Sequence, residues 1–585
     1  MPTIEPASPA PPPVRREATV RALVSGCGLG ALLAAGNVYT GLKTGFIDGG
    51  GITAALVAFM FFSSARRFGA SPYGVLENNI NQTTAASAAI MGTALGLAGP
   101  IPALGLIGKT PPGLAIAVWG LAAGLLGIGA AVLLRRKLIV EDALPFPTGR
   151  ATGEVIETIH TTRAAAMRRA WLLCGAALVA IAITWLRDGS PKLIPQTTGF
   201  PGVIAGVAVA SLTLGMNWSP LLAAVGGMIG PRAGISVLLG GAISWVVLAP
   251  RLLNAGIVRS AEYGQLSSWL VWPALGLLAA GSFVPLLLDV GALRRAFRDL
   301  GVVVRGASAD RRAADPAERP VGPGALALMF LVGIVVLVLV GRTAFGIGPG
   351  TMLITIVIAL LLTNVSARAT GETDVAPVGA VGMITQIASA GSGAVTSLLT
   401  GGASTASSTT ACGALYAFRA GHRLGASPRA QVGAHLLGAG LGAVVVVPVY
   451  FLVVKAYGIG TEAMPAPGAQ SWKAMAEAIL GGAAALPPHA LLAGGLGLAA
   501  GAFFAIASRF RIGRFLPSPA AMGMAMLIPG SYSVAIFVGA MAVVLARRLR
   551  PDLDESAVMT LAAGAMAGES ITGVLVSALT ALGAL

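Results

Sequence analysis

Long apolar stretches are the feature that most restricts how this 585-residue chain can fold. Roughly fourteen of them, each of about 18 to 25 residues, follow one another along most of the sequence, and a helix of about 20 apolar residues crosses about 30 Å of hydrocarbon. Charged residues make up only 11% of the chain, against roughly 25% in ordinary soluble proteins. The chain is therefore predicted to be an all-α polytopic membrane protein embedded in the lipid bilayer.

Membrane topology, rather than nucleic-acid binding, explains the net charge of +16. Basic residues are concentrated in short connections between apolar stretches, which the positive-inside rule places in the cytoplasm. The N-terminus, the 294–319 loop and the 547–550 turn are accordingly predicted to be cytoplasmic, and the 457–488 segment is predicted to lie outside. We expect a multi-pass protein of the cell's inner (plasma) membrane that has no nucleic-acid partner.

A basic, polar segment near the middle divides the chain in two. Residues 1–18 are predicted to be a disordered cytoplasmic tail, 19–290 an N-terminal membrane half, 291–320 a basic cytoplasmic linker and 321–585 a C-terminal membrane half. About seven apolar stretches lie on each side of the linker, as in transporters built from repeats. The predicted architecture has about 14 to 16 membrane helices in two related halves, including re-entrant or broken segments.

Four apolar runs are too short or too interrupted to cross the membrane. They contain glycine or proline, and their neighbours require each run to enter and leave on one side, which favours re-entrant or broken helices. Non-helical backbone at membrane depth persists only where protein or a water-filled cavity satisfies it, so these runs indicate a substrate pathway. The runs are 143–160, 219–231, 373–390 and 515–530.

Motifs for enzymatic or metal chemistry are absent from the sequence. Its three cysteines and four histidines show no metal-ligand spacing, and no HExxH, GxSG, GxGD or P-loop pattern occurs. We therefore predict no cofactor, no metal site and no catalytic residue. A passive channel for small solutes and, well below it, a membrane-embedded enzyme are the competing functions.

Polar residues inside apolar segments mark the candidate sites. The first group ends the first span, in the run GNVYTGLKTG, and consists of Asn37, Tyr39 and Lys43. An interfacial belt with a snorkelling lysine explains this group as well as a substrate site does, because Tyr and Lys commonly anchor helix ends. Both interpretations stay open from the sequence.

The second group lies in the run ENNINQTTAAS. Asn78 and Gln82 share one helical face, and Glu77 and Asn81 share the adjacent one. Five amide or acidic side chains within six residues are costly in lipid, so a hydrated cavity is favoured over structural packing. The four residues are predicted to line a water-accessible pathway near the middle of the membrane.

Acidic residues supply the candidates for proton coupling. Glu154 lies in EDALPFPTGRATGEVIETIH, where an amphipathic cytoplasmic helix is an equal alternative, and Glu569 lies inside the last apolar span, where a lone carboxylate is a functional candidate by default. Glu372 and Asp374 begin the element GETDVAPVGAVGMITQ, which ends at Gln386; acidic residues at such a helix start can also serve only as caps.

Seven segments, in this order, resemble blocks of the oligopeptide transporter (OPT) superfamily, more closely its bacterial and yellow-stripe-like branch than its fungal peptide branch. The resemblance covers the chain from about residue 20 to 580. It implies a helical carrier of two related halves that moves peptides or peptide-like metal chelates together with protons. The segments are NVYTGLKTG, LENNINQTTAASAA, LPFPTGRATGEV, MNWSPLLAAVGGMIGPRAGISVLLGGAISW, GETDVAPVGAVGMITQ, HRLGASPRAQVGAHLLGAGLGA and AAGAMAGESITGVL.

The chain departs from the family pattern in its second half. The family usually carries Asp and Lys in a DLKTG-like run before the GASPR-like block, whereas this chain reads YAFRAGHRLGASPR, with Ala417 and Arg419 at those positions. Met383 stands where a lysine is common. The missing charged pair leaves the choice between peptide and chelate, and the identity of the coupling ion, open.

The sequence thus predicts a secondary active transporter, proton-coupled, of small oligopeptides or peptide-like metal chelates. A homodimer is the expected assembly, because symmetric oligomers are common. Glu569 is the leading residue for proton coupling, with Glu154 and Glu372 as weaker candidates. The predicted substrate-binding residues are Asn37, Tyr39, Lys43, Glu77, Asn78, Asn81, Gln82, Asp374 and Gln386.

Overall fold

A computed structural model describes residues 16–288, 291, 294–295, 321–481, 486–550 and 553–585. Most of the predicted tail 1–18 and most of the predicted linker 291–320 lie outside the described residues. Within the described ranges, 11 helices are long and apolar enough to cross a membrane. The prediction of an all-α polytopic membrane protein is confirmed, and several of the remaining helices are short because the chain breaks within the bundle.

The helices of the N-terminal half are numbered α1 to α11. Several of the predicted apolar stretches are divided between two helices, as at the break between α3 and α5. The bounds are α1 Val20–Thr44, α2 Gly51–Ala65, α3 Val75–Ala89, α4 Met91–Ala94, α5 Pro100–Leu106, α6 Gly113–Arg135, α7 Pro147–Thr161, α8 Arg163–Asp188, α9 Pro220–Ala242, α10 Ala249–Asn254 and α11 Tyr263–Leu288.

The helices of the C-terminal half are numbered α12 to α21. One of them, α15, is long but rich in Ser and Thr, and it is not among the helices apolar enough to count as spans. The bounds are α12 Pro323–Phe345, α13 Pro349–Thr373, α14 Val378–Ala388, α15 Ala394–Leu424, α16 Pro428–Tyr457, α17 Pro467–Gly481, α18 Ala490–Ala507, α19 Pro519–Ala525, α20 Gly530–Leu549 and α21 Glu555–Ala581.

The connection between α8 and α9 contains two small antiparallel sheets. Strand β1 (Thr197–Gly199) pairs with β4 (Gly215–Asn217), and β2 (Val203–Ile204) pairs with β3 (Val207–Ala208). The connection also holds the start of α20, because the Thr213 hydroxyl accepts the backbone N–H of Gly530 at 2.8 Å. These strands therefore tie the first half to the second.

The four runs predicted to be re-entrant or broken form short or interrupted helices. Helices α7, α14 and α19 contain 15, 11 and 7 residues. Helix α9 is interrupted at Gly230, where φ is 78° and ψ is 176°, and Pro231 follows. Its first part packs against α20, and its second part lies beside both α20 and α19; Arg232 donates to the carbonyl of Leu516, just before α19, at 3.0 Å.

The segment 457–488, predicted to be a hydrophilic outer loop, instead contains the partly buried helix α17. Its polar residues Lys473 and Glu477 lie one turn apart with charged atoms 3.5 Å from each other, which is favourable on a helix surface. The ring of Trp472 lies against Gly99, Gly382 and Gly401. Small neighbouring residues thus make room for a helix that hydropathy alone does not show.

Small residues set the closest helix contacts. A Cβ added to Gly564 or Gly568 of α21 would collide with the backbone of Leu173 or Ala177 in α8. In lipid there is little hydrophobic drive between helices, so close backbone approach through such residues is what holds them together. The contact fixes α21 beside α8, which positions the charged residues described below.

Ion pairs connect the segments that were predicted to be cytoplasmic, and these segments lie together at one end of the bundle. We call this end the basic face. They join the two halves, because α7 and the end of α6 pair with α15 and α13. Burial acts to raise the pKa of the Asp142 carboxyl, but Lys137 and Arg368 outweigh burial and hold this pKa below its ordinary value. The pairs are Arg21 with Glu77, Arg368 with Asp142, Arg423 with Glu157, and Arg169 with Asp554.

Candidate functional site

Four separate parts of the chain meet at the Glu569 carboxylate of α21. Lys43 at the end of α1 donates to its Oε1 at 2.9 Å, and Arg187 at the end of α8 donates to the same oxygen at 3.0 Å. The Ser219 hydroxyl lies 2.8 Å from both carboxylate oxygens, and the backbone N–H of Leu221 donates to Oε2 at 2.9 Å. The site therefore lies between the two halves.

The start of α9 is built to receive a negative charge. Ser219 is its N-cap and Pro220 its first residue, so the helix begins inside the bundle with the Leu221 N–H directed at Glu569 and the Leu222 N–H bound to the Ser219 hydroxyl. The positive end of a helix dipole favours an anion at this position. A broken helix whose N-terminus faces an ionic group at membrane depth is the arrangement found at transporter binding sites.

The charges of this cluster balance. Arg187 also donates to the carboxylate of Asp188 at 2.9 Å, so two cations face two carboxylates. All four residues are buried: the exposed fraction is 0% for Glu569, 5% for Lys43, 3% for Arg187 and 7% for Asp188. Removal of one partner would leave an uncompensated buried charge, which is strongly unfavourable. We call these four residues the ion-pair cluster.

Aromatic residues enclose the ion-pair cluster on one side. Lys43 donates to the Tyr39 hydroxyl at 3.1 Å, and its Nζ lies 5.2 Å from the centre of the Tyr39 ring and 5.9 Å from that of Tyr532. Gln196 donates to Asp188 at 3.0 Å. A cavity of about 20 Å³ remains between these side chains, enough for one water. The site is closed around its charges.

Two of the predicted substrate-binding residues, Tyr39 and Lys43, and the leading coupling candidate, Glu569, thus come together in one place. Asn37 from the same run lies elsewhere, because its amide binds the backbone of Asp48 and of Ala89. The roles assigned to these residues remain predictions.

The polar residues of α3 contact neighbouring helices rather than the ion-pair cluster. Glu77 binds Arg21 at 2.6 Å, Asn78 lies 3.3 Å from His160, and Asn81 donates to the Ser25 hydroxyl at 2.6 Å. The side-chain oxygens of Asn78 and Asn81 are buried without a hydrogen-bond partner in the described chain, which is unusual for native interiors.

Gln82, the fourth predicted member of the α3 group, points toward the start of α2. Its Nε2 donates to the side chains of Asn79 and Thr83 at 3.2 and 3.0 Å. Its Oε1 lies 3.1 Å from the place where a Cβ on Gly51 would be. The prediction that this group lines a water-accessible pathway stays open.

Glu154, Glu372 and Asp374 lie at the basic face. Glu154 is half-exposed and within 3.5 Å of Arg150, whereas Glu372 accepts from Arg368 at 3.0 Å. Asp374 accepts from the backbone and the hydroxyl of Thr148 at 3.0 and 2.7 Å, which caps α7.

Gln386, at the end of α14, is separate from the basic face. It donates to the backbone carbonyl of Trp472 at 3.4 Å, so it meets the buried helix α17. Its side-chain oxygen has no hydrogen-bond partner within the described residues.

Arg187, Asp188 and Ser219 were not among the predicted site residues. A sequence signal for the first two exists, since they end an apolar span as adjacent opposite charges in WLRDG, but charged residues at the end of a span also commonly anchor it at the interface. Ser219 carries a weaker signal, because Ser before Pro is common at helix starts of every kind.

Comparison with known proteins agrees with this architecture. The family described as OPT oligopeptide transporter protein matches residues 17–580. A putative oligopeptide transporter of Saccharomyces cerevisiae is 25% identical, and the alignment covers 96% of each chain. A metal-nicotianamine transporter of Arabidopsis thaliana is 24% identical over 98% of this chain and 94% of its own length. A probable metal-nicotianamine transporter of Oryza sativa subsp. japonica is 25% identical over 96% and 90%.

The family match extends over both halves of the bundle and includes every member of the ion-pair cluster. It confirms the resemblance seen in the sequence, and it confirms the prediction of a transporter rather than an enzyme. On this evidence the chain belongs to the OPT family of oligopeptide transporters.

Proposed function

We propose that the protein is a secondary active transporter that carries small oligopeptides or peptide-like metal chelates across the cell's inner (plasma) membrane, coupled to protons. The observation that carries this proposal is the ion-pair cluster, buried between the halves where the broken helix α9 begins. Alternating access needs a site that either half can close, and a closed, charge-balanced site at a half-helix start meets that need.

The chemistry of the cluster fits a zwitterionic substrate. Peptides and peptide-like chelates carry carboxylates and amines, the same kinds of charge that the cluster pairs internally. A substrate carboxylate can replace Glu569 beside Lys43 and Arg187, and a substrate amine can pair with Glu569 or Asp188. Such an exchange keeps the buried charge balanced, whereas a neutral solute could not open the cluster without leaving charges unpaired.

Both substrate classes are supported by the names of relatives. The yeast relative is named as an oligopeptide transporter and the plant relatives as metal-nicotianamine transporters. The cavity of about 20 Å³ in the closed structure is too small for either kind of substrate. Substrate entry therefore requires movement of the residues around the cluster, which is the behaviour of a carrier rather than of an open channel.

Proton coupling requires a carboxylate that changes its protonation state during the cycle. Glu569 was the leading candidate from the sequence, but two cations and a backbone N–H favour its ionised form in the closed structure. If Glu569 titrates, it does so only after Lys43 and Arg187 move away. Glu154 and Glu372 lie among arginines at the basic face, away from the ion-pair cluster.

Uptake into proteoliposomes tests the proposed function. Purified protein is offered labelled di- to pentapeptides and a panel of iron chelates, with and without an inward proton gradient. A coupled carrier accumulates its substrate above the outside concentration only when the gradient is present, whereas a passive channel brings the two sides to the same concentration.

Variants connect that uptake to the ion-pair cluster. Lys43→Gln and Glu569→Gln are each expected to abolish accumulation, because each leaves the cluster with an unbalanced charge. Glu477→Gln, a change of a half-exposed carboxylate on α17, serves as the matched control and should accumulate substrate as wild type does. Wild-type protein that only equilibrates the panel, or accumulates none of it, would overturn the proposal.

A further inference from the structure

The segment 45–50 between α1 and α2 is non-helical; Gly50 is buried, residues 45–48 including Asp48 are half-buried, and Gly49 is exposed. Gly50 packs beside Leu33 of α1 and Ala89 of α3. Asn37, which contacts the segment, is about 25 Å along α1 from its start at the basic face. The segment therefore lies at membrane depth, where non-helical backbone persists only beside protein or a water-filled cavity.

Asn37 clamps the backbone of this segment at Asp48. Its Nδ2 donates to the carbonyl of Asp48 at 2.6 Å and to the carbonyl of Ala89 at 3.0 Å, and its Oδ1 accepts the N–H of Asp48 at 3.2 Å. The clamp holds Asp48 by its backbone alone and does not involve its carboxylate. No heavy atom lies within 4 Å of where a Cβ on the adjacent Gly49 would be, so there is room for water.

The Asp48 carboxylate has no counter-ion among the described residues. It accepts from the hydroxyl of Thr53 at 3.4 Å and from the backbone N–H of Gly50. The side chains of α3 and α7 that lie against Gly51, the residue directly after the segment, are Gln82 and Thr152, both uncharged. The other buried carboxylates differ in this respect. Glu569, Asp188 and Glu77 each face a cation.

We propose that Asp48 is the carboxylate that takes up and releases the coupling proton, an inference that rests on the transport function proposed above. A carboxylate at membrane depth without a counter-charge favours its protonated form, so it can exchange a proton with water where paired carboxylates cannot. Asp48 follows Lys43 by only a few residues through the segment. A change of charge at Asp48 can therefore reach the ion-pair cluster through the backbone that carries both.

A purely structural role for Asp48 is to hold the turn before α2, where its carboxylate accepts from the Gly50 N–H and the Thr53 hydroxyl much as a helix cap would, and Asp48→Asn separates the two roles. Asparagine caps helices as well as aspartate does, but it cannot bind or release a proton. Asp554→Asn makes the same change at the N-cap of α21, where the side chain is 58% exposed, and serves as the matched control.

Infrared difference spectroscopy of the purified protein in lipid gives a readout that needs no substrate. Between mildly acidic and mildly alkaline pH, wild type and Asp554→Asn should lose the carbonyl stretch of a protonated carboxyl group, and Asp48→Asn should lack this change. Asp48→Glu should restore it at a shifted pH. Identical spectra for wild type and Asp48→Asn would overturn the assignment.

Transport measurements complete the test. Asp48→Asn should fall to the level of uptake seen without a proton gradient, while exchange of internal for external substrate continues, and Asp554→Asn should accumulate substrate normally. Gradient-driven accumulation by Asp48→Asn at the wild-type level would overturn the inference. Absence of uptake by the wild-type protein would count against the transport function instead, and the infrared titration would still decide the protonation of Asp48.

Discussion

The carboxylate of Glu569, in the C-terminal half, is stabilised by groups from the N-terminal half, and each of its oxygens is used. Lys43 and Arg187 share Oε1, and the start of α9 binds Oε2. Charges buried in this way repay the loss of hydration only when geometry is good and every partner is present. A single substitution in the ion-pair cluster should therefore destabilise the folded protein by more than the loss of its direct contacts implies.

Glu569→Gln is predicted to lower the stability of the folded protein. The change leaves Lys43 and Arg187 with one carboxylate, Asp188, so the buried cluster gains a net positive charge. Loss of one partner from a buried pair costs about 3–5 kcal/mol in proteins of known stability. The midpoint of thermal unfolding in detergent should fall accordingly, measured against Glu477→Gln as the exposed control.

Removal of the unbalanced cation should restore part of that loss. In the double variant Lys43→Met with Glu569→Gln, Arg187 and Asp188 remain as a neutral pair. We expect the double variant to unfold at a higher temperature than Glu569→Gln alone, because the excess charge is gone. Destabilisations that simply add in the double variant would show that Lys43 and Glu569 are not energetically coupled.

Among the helices, α9 shows how a break in an apolar run creates the site. Its first part begins at Ser219 beside Glu569, and the chain reverses at Gly230, whose φ of 78° and ψ of 176° are accessible to glycine but not to residues with a Cβ. The part of α9 that precedes the break is thus short, and it holds the Leu221 N–H against the carboxylate.

Gly230→Ala is predicted to destabilise the protein by about 1–3 kcal/mol through backbone strain. Steric collision is not the cause, since no atom lies within 4 Å of the Cβ position at Gly230. Gly175→Ala in α8 is the matched control, because that Cβ position is equally open but the backbone is helical. There we expect a stability that is unchanged or higher by up to about 1 kcal/mol.

Thermal unfolding of the two glycine variants shows whether backbone strain or steric collision accounts for the loss of stability. A lower midpoint for Gly230→Ala alone assigns the cost to the conformation of the reversal. Equal midpoints for both variants would mean that the backbone at Gly230 adapts to an ordinary conformation, and the reversal would then not depend on glycine.

How well the sequence predicts these elements depends on how far apart along the chain the interacting residues lie. Length and Gly or Pro content were enough to predict that run 219–231 is broken, because those properties are local. The meeting of Ser219 with Glu569 joins residues 350 positions apart, which no local pattern reveals. Helix α17 was missed for a different reason: Lys473 and Glu477 make its sequence look like a loop, although they pair along the helix.

At the scale of the whole molecule, contacts between distant segments arrange the predicted cytoplasmic parts on one end of the bundle. The basic face joins the N-terminal segment, α7 and the α15–α16 turn, where Glu17 accepts the N–H of Ser427 at 3.0 Å and Arg423 lies 2.9 Å from Glu157. The positive-inside rule assigned the N-terminal segment and the basic connections to one side separately, and the fold brings them together beside α7.

Cysteine labelling should place the basic face and helix α17 on opposite sides of the membrane. Single cysteines are introduced at Asp554 and Glu477, whose side chains are 58% and 48% exposed, in a background without the three native cysteines. A membrane-impermeant thiol reagent should label Glu477→Cys in intact cells and Asp554→Cys only after the membrane is opened. Labelling of both positions from the same side would contradict the topology, and so would labelling of Glu477→Cys only from the cytoplasm. The membrane crossings between α17 and α21 determine on which side of the membrane one position lies relative to the other.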